Sequence, residues 1–102
     1  MHGSENMIRE LLEGLKAGIR SDSLADMAVF PPFPYLAQVQ SLLDGSTIDW
    51  GGQTLNPAPQ GAHTGDVSAA MLLEFGCRMV LVGHSERRTL YGESDADVAD
   101  RF

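Results

Sequence analysis

The chain has 102 residues, of which 43% are hydrophobic and 21% charged, a composition typical of one globular domain over residues 1–102. A net charge of −7 argues against a nucleic-acid partner, since binding to phosphates requires clustered Lys and Arg. No apolar run approaches the roughly 20 residues of a membrane helix, and the single cysteine, Cys77, excludes an intrachain disulfide, so we expect a cytoplasmic protein with no membrane partner.

A helix and then a strand are predicted at the start of the chain. Ser4 is a candidate N-cap for the helix, whose apolar residues recur on one face at helical spacing: Met7, Ile8, Leu11, Leu12, Leu15 and Ile19. A short strand over 24–30 follows. It ends at Pro31 and Pro32, because proline has no N–H to donate to a strand ladder.

A second helix and a second strand are predicted next. Pro34 suits the first turn of a helix over 34–43, and Gly45 supplies the left-handed residue that stops it. A strand over 47–52 then leads into a loop over 53–64 that is rich in proline, glycine and polar residues. Loops this long inside a compact domain are usually functional or contact a partner.

The last third of the chain predicts a third helix, a third strand and the start of a fourth helix. Asp66 is the expected N-cap of the third helix, and Gly76 ends it. The β-branched-rich run over 79–82 is typical of a buried strand. Ser94, with Asp97 three residues later, has the pattern of a capping box that opens the fourth helix.

This alternation of helices and strands predicts an α/β fold with three parallel strands and right-handed crossovers. Ligands of such folds bind at the carboxyl ends of the strands. His84 follows the third strand by one glycine, which makes it a candidate catalytic group. The spacing of the histidine, cysteine and carboxylate residues does not suggest a metal site, and we expect no cofactor.

Six motifs, in this order, closely resemble those of the triosephosphate isomerase family. They are Phe30-Pro31-Pro32, Gly51-Gly52-Gln53, Gly61-Ala62-His63-Thr64-Gly65-Asp66, Ser68-Ala69-Ala70-Met71-Leu72, Val82-Gly83-His84-Ser85-Glu86-Arg87-Arg88 and Gly92-Glu93-Ser94-Asp95. The family fold is a (β/α)8 barrel of about 250 residues. The resemblance therefore implies a βα-repeat segment that runs from the end of the first strand to the start of the fourth helix.

Such a segment cannot close a barrel, and the strand face that would line the barrel interior loses its cover. Leaving several hundred Å² of apolar surface in water would forgo roughly 25 cal/mol per Å². Two solutions fit the sequence, and they can coexist. A terminal helix could cover that face, giving an open sheet of the flavodoxin or Rossmann type, or several chains could associate as an oligomerised partial barrel.

The resemblance also implies an activity, the interconversion of dihydroxyacetone phosphate and glyceraldehyde 3-phosphate in glycolysis and gluconeogenesis. The family is the usual example of a neutral histidine that polarises the substrate carbonyl while a glutamate moves the proton. By resemblance His84 is that electrophile. Glu86 is either a member of the proton network or the ion-pair partner of Arg87 or Arg88.

The family's catalytic glutamate and lysine have no counterpart within these residues, so the isolated chain is expected to be inactive. Two alternatives remain open. The chain could be a non-catalytic binding or scaffold module, with a small phosphorylated metabolite as its candidate ligand. It could also be one part of a split isomerase whose other part supplies the missing strands and the glutamate.

The resemblance further implies a homo-oligomer. In the family the long loop inserts into the active site of the other subunit, and Gln53 and Thr64 resemble residues of that interface. Arg87 and Glu93 resemble a structural salt bridge near the same subunit contact.

Overall fold

Three short parallel strands form one open sheet with helices packed against it. The structure, a computed structural model, describes residues 1–19 and 25–102. The strands lie in the order β1-β2-β3, and Gly51 pairs with Met79 across the last two. They are β1 (Met27–Val29), β2 (Ile48–Gly52) and β3 (Met79–Val80). The predicted fold class, a partial barrel segment with an open sheet, is confirmed.

The helices follow the predicted order, with one addition. They are α1 (Glu5–Gly18), α2 (Leu36–Leu43, preceded by a 3₁₀ turn over Phe33–Tyr35), α3 (Ala69–Glu74), α4 (Ser85–Tyr91) and α5 (Asp95–Arg101). The addition is α4, a helix that the sequence pattern did not predict. No helix within the described ranges is long and apolar enough to span a membrane.

Several predicted boundaries change in the structure. The third strand, predicted as a buried strand over 79–82, ends at Val80 and is only partly buried. The first strand covers Met27–Val29, inside the predicted 24–30, and Leu24 lies outside the described residues. The prediction that Asp66 caps α3 is wrong, because the Ser68 hydroxyl accepts from the N–H of Met71 at 3.4 Å and fills that role. Asp66 instead accepts a hydrogen bond from the side-chain amide of Asn56. It closes the base of the long loop and lies two residues before the N-cap position of α3.

The core lies on one face of the sheet, under α1 and α2. One buried cluster joins α1 and α2 to β2 and consists of Ile8, Leu12, Val39, Leu43 and Ile48. A second cluster joins α2 to α3 and the entry of β3 through Leu36, Leu72 and Cys77. Trp50 packs against both clusters, so together they form a continuous layer.

The opposite face of the sheet corresponds to a barrel interior. Successive residues of a strand alternate between the two faces of the sheet. Asp49 and Gly51 therefore lie on the face opposite to Ile48 and Trp50. Met79, the register partner of Gly51, is 43% exposed, and Asp49 pairs with Arg78 at 3.6 Å. These residues lie outside both buried clusters.

The loops that leave the carboxyl ends of the strands are tied to one another. The N–H of Leu81 donates to the Gly52 carbonyl at 2.9 Å. The side-chain amide of Gln53 donates to the Phe30 carbonyl at 2.9 Å. The segments that follow β1, β2 and β3 therefore meet at one edge of the sheet, which is where the candidate site lies.

Candidate active site at the carboxyl end of the sheet

A cleft of about 520 Å³ opens at this edge. Its walls are mainly apolar, and four of the residues predicted from the sequence line it: Gln53, His84, Glu86 and Arg87. Leu90 and Tyr91 of α4 add two large and strongly exposed side chains to the wall. The structure thus brings four of the six predicted site residues together, while Thr64 and Glu93 lie elsewhere.

The backbone at Gly83 and His84 forms the turn that leads from β3 into α4. Gly83 takes a positive φ of 67°, and His84 follows as the N-cap of α4 with φ −56° and ψ 141°. The His84 carbonyl accepts from the N–H groups of Arg87 at 2.9 Å and Arg88 at 3.1 Å. The imidazole therefore stands at the entry of a short helix whose first turn is well formed.

The hydrogen bond at the His84 ring decides which nitrogen carries the proton. Nδ1 accepts from the backbone N–H of Glu86 at 3.2 Å. A backbone N–H can only donate, so Nδ1 must be unprotonated, and the proton of the neutral ring is then on Nε2. His84 can therefore present an Nε2–H donor to a carbonyl oxygen bound in the cleft, the geometry that an electrophilic histidine requires.

Glu86 stays close to the histidine. Its carboxylate Oε2 lies 4.0 Å from His84 Nδ1. Of the two arginines that the sequence left open as partners, Arg87 pairs with Glu93 and Arg88 pairs with Asp95, each at 2.6 Å. Glu86 thus lies beside the imidazole, and each arginine has another carboxylate partner.

Glu93 is buried behind the cleft between two arginines. Its Oε1 accepts from Arg87 Nε at 2.6 Å and lies 3.2 Å from Arg101 Nη2, with the side chain 6% exposed. Among the described residues, Oε2 has no hydrogen-bond partner. The Arg87 guanidinium also lies 4.8 Å from the Tyr91 ring centroid, a cation–π contact that extends the network to the cleft wall.

Arg101 was missed by the sequence reasoning. Its Nε donates to the Leu55 carbonyl at 3.0 Å and its Nη1 to the Asp97 carbonyl at 2.9 Å. It therefore joins α5 to the segment after β2 as well as to Glu93. No local pattern links an arginine to a carbonyl 46 residues earlier in the chain.

Thr64 lies in an exposed turn of the long loop. The loop is closed at its base, where the N–H of Asn56 donates to the Val67 carbonyl at 2.8 Å and Asn56 forms an isolated bridge with Ser68. The side-chain oxygen of Asn56 also accepts from the Ala58 N–H at 2.8 Å. The loop is therefore a hydrogen-bonded projection with Thr64 on its outer part.

Comparison with known proteins gives a match along the entire chain. The sequence profile described as Triosephosphate isomerase matches residues 1–102. The chain belongs to the triosephosphate isomerase family. This places the strand-end histidine and the order of the motifs in the context of a known enzyme family.

Individual relatives agree with this membership. The triosephosphate isomerase of Dechloromonas aromatica is 57% identical over 102 residues, which are 100% of this chain and 41% of the relative. That of Nitrosomonas eutropha is 54% identical over the same length, 40% of the relative. That of Cupriavidus necator is 57% identical over 99 residues, 97% of this chain and 39% of the relative. The chain therefore spans about two fifths of the length of these relatives.

Proposed function

We propose that this chain is a triosephosphate isomerase segment that supplies the electrophilic histidine, and that a polypeptide of these 102 residues has no appreciable isomerase activity alone. The family reaction interconverts dihydroxyacetone phosphate and glyceraldehyde 3-phosphate, a step of glycolysis and gluconeogenesis. The observation that carries the proposal is the hydrogen bond from the Glu86 N–H to His84 Nδ1, which leaves Nε2–H as the donor. Glu86 is proposed as its neighbour in the proton network.

The expected inactivity follows from the chemistry of proton transfer. Isomerisation requires a base positioned at the substrate carbon, and its loss typically forfeits a factor of about 10² to 10⁴ in rate. The one carboxylate among the residues that line the cleft is Glu86, and it lies beside the histidine. By the family resemblance the base and the lysine belong to parts of the barrel that this polypeptide does not contain.

A coupled assay of the purified chain tests this proposal. We expect no turnover of glyceraldehyde 3-phosphate above the buffer rate. The variant His84→Gln is the matched control. Its amide still has N–H donors and a similar size, but it lacks the rigid imidazole ring whose Nδ1 accepts from the Glu86 N–H. Turnover that His84→Gln abolishes would contradict the proposed inactivity and would place a base within these residues.

The split-isomerase alternative has one observation in its favour. The chain covers 41% of the Dechloromonas aromatica relative, and β3 stands at an edge of the sheet, where Leu55, Leu72 and its own Val80 line an apolar groove. Mixing the chain with the remainder of that relative should then restore activity, and His84→Gln should abolish it. If the two pieces bind each other and the mixture stays inactive, the scaffold alternative remains. Binding of phosphorylated metabolites to the chain would then test it.

We also propose that the chain forms a homo-oligomer in which the long loop of one copy enters the cleft of another. The loop is held at its base by Asn56 and carries Thr64 outward, while Leu90 and Tyr91 leave an apolar wall on the cleft. Gln53, Arg87 and Glu93 lie at or behind this wall. A cytoplasmic location is part of the proposal and is supported by the buried free thiol of Cys77.

A further inference from the structure

We propose that Arg88 is a positioning residue for His84, acting through the carbonyl of Gly83 and held in place by Asp95. The inference rests on the proposed function, because it concerns the same histidine. Arg88 itself does not line the cleft. Arg88 would determine how the imidazole is presented, and His84 would remain the group that meets the substrate.

The contacts of Arg88 join three parts of the site. Its Nε donates to the Gly83 carbonyl at 3.0 Å, and its Nη1 donates to Asp95 Oδ1 at 2.6 Å. A guanidinium is a rigid planar fork, so holding one acceptor fixes the direction offered to the other. The peptide group between Gly83 and His84 is thereby held both from α4 and from the first residue of α5.

The orientation of this peptide group bears directly on the imidazole. Gly83 has φ 67° and His84 has ψ 141°, so the chain is outside helical geometry at the two residues that precede α4. Rotation of the peptide would move the His84 ring relative to the Glu86 N–H, whose 3.2 Å hydrogen bond keeps the proton off Nδ1. Loss of that bond would let the Nδ1–H tautomer compete.

Neighbouring side chains close the space around Gly83. A Cβ at this position would lie 3.0 Å from Val98 Cγ2 and 3.1 Å from Arg88 Nη2. A side chain at residue 83 would therefore be crowded by both neighbours and strained by the positive φ, and the turn is held by groups supplied from outside. Arg88 supplies the hydrogen bond, and Val98 supplies the packing contact.

The ion pair between Arg88 and Asp95 is exposed, which indicates that its main effect is to orient the Arg88 guanidinium. The side chain of Asp95 is 95% exposed and that of Arg88 is 39% exposed. Exposed ion pairs contribute little to the free energy of unfolding. Variants at these two positions should therefore remain folded and allow the histidine to be observed directly.

Nitrogen NMR of the chain labelled at histidine tests the proposal. In the unchanged chain we expect the His84 signals to show an unprotonated Nδ1 and a protonated Nε2. In Arg88→Gln the ratio of the Nδ1–H to the Nε2–H tautomer should rise about three- to fivefold, the range open to an exposed ion pair with one hydrogen bond. Asp95→Asn should move the ratio in the same direction by a smaller factor.

Arg78→Gln is the matched control, since Arg78 precedes β3 at the opposite end of the strand and pairs with Asp49 at 3.6 Å. It should leave the His84 signals unchanged, and the exposed His2 and His63 serve as internal references. A folded Arg88→Gln chain with the original tautomer ratio would overturn the inference.

The outcomes separate the inference from the proposed function. If Arg88→Gln fails to fold, Asp95→Asn decides, and an unchanged ratio there also overturns the inference. A protonated Nδ1 in the unchanged chain would instead contradict the proposed donor role of His84, whatever the variants do.

Discussion

Glu93 illustrates how a single buried carboxylate can organise the surroundings of a site. One of its oxygens is shared by Arg87 and Arg101, and the side chain is 6% exposed. Removing one partner of a buried ion pair is costly, because the remaining charges stay desolvated. The network therefore links the cleft wall on α4 to α5 through one residue that lies behind both.

We expect Glu93→Gln to lower the free energy of unfolding by about 2 kcal/mol. Glutamine keeps the size of the side chain but removes the charge that Arg87 and Arg101 share. Urea denaturation followed by the fluorescence of Trp50, the only tryptophan, measures the change.

The control for this prediction is Arg78→Gln. The Arg78 side chain is 79% exposed and lies 3.6 Å from Asp49, so its loss should change stability by less than about 0.5 kcal/mol. If the two substitutions lowered the free energy of unfolding equally, the buried ion pairs of Glu93 would stabilise the protein no more than an exposed one.

Asp97 gives a prediction for acid pH. The Ser94 hydroxyl and then the Ser94 backbone N–H donate to its carboxylate, and with the charge of Arg101 they hold the pKa of Asp97 below its ordinary value. A lowered pKa in the folded state stabilises the protein above the ordinary value. This contribution should be constant near neutral pH and should be lost as the pH falls below about 4.

Carbon NMR of the Asp97 carboxyl group measures this pKa. Ser94→Ala removes the hydroxyl donor, so it should raise the midpoint of the Asp97 titration toward the ordinary value. A midpoint that is already ordinary in the unchanged chain would contradict the capping box as the cause.

At the scale of the elements, β2 and β3 approach too closely at Gly51 for any side chain. A Cβ at residue 51 would lie 2.7 Å from the Met79 carbonyl carbon and 2.8 Å from Phe30 Cε1, and it would clash with the Met79 carbonyl oxygen. The pairing of Gly51 with Met79 is one of only two register pairs between these strands. The sheet therefore depends on glycine at this position.

We expect Gly51→Ala to cost about 3 kcal/mol or more, enough to unfold much of a small domain. Gly14→Ala is the matched control, because nothing lies within 4 Å of a Cβ there and Gly14 is inside α1. That substitution should stabilise the chain by about 0.5 to 1 kcal/mol, since alanine favours helix more than glycine does.

Urea denaturation at one fixed protein concentration compares the two glycine variants. The opposite signs of the two effects are the test. A Gly51→Ala chain as stable as the unchanged chain would mean that β2 and β3 do not pair as closely in solution.

For the molecule as a whole, its exposed apolar surface favours association. Leu90 is 73% exposed and Tyr91 70% exposed at the cleft, and Leu73 is 67% exposed beside the apolar groove at the edge of β3. Patches of this kind commonly mark interfaces. They offer two routes of assembly, one through the cleft and one through the sheet edge.

We predict a mass in light scattering of at least twice the 11.0 kDa of one chain. A charge placed at the cleft by Leu90→Glu should lower that mass, since a buried unpaired carboxylate opposes association. Leu73→Glu, in α3 beside the groove at the edge of β3, should have little effect. The reverse pattern would favour association by edge pairing, and a monomeric mass for the unchanged, folded chain would contradict the oligomer.

The amino-acid sequence by itself determined much of the local structure of this protein. The helical period of Ile8 and Leu12, the stop at Gly45, and the capping box of Ser94 and Asp97 all depend on residues within a few positions of each other. The candidate position of His84 also followed from the sequence, because it depends only on where a strand ends. Family motifs supplied the remaining predicted site residues.

Only the tertiary structure decided the contacts between distant segments. Asn56 binds Asp66 ten residues away, and Arg101 reaches both Glu93 and the carbonyl of Leu55. The placement of α1 and α2 on one face of the sheet was equally undetermined, since an amphipathic helix can cover either face. Such choices depend on which surfaces meet in space, and no short-range pattern carries that information.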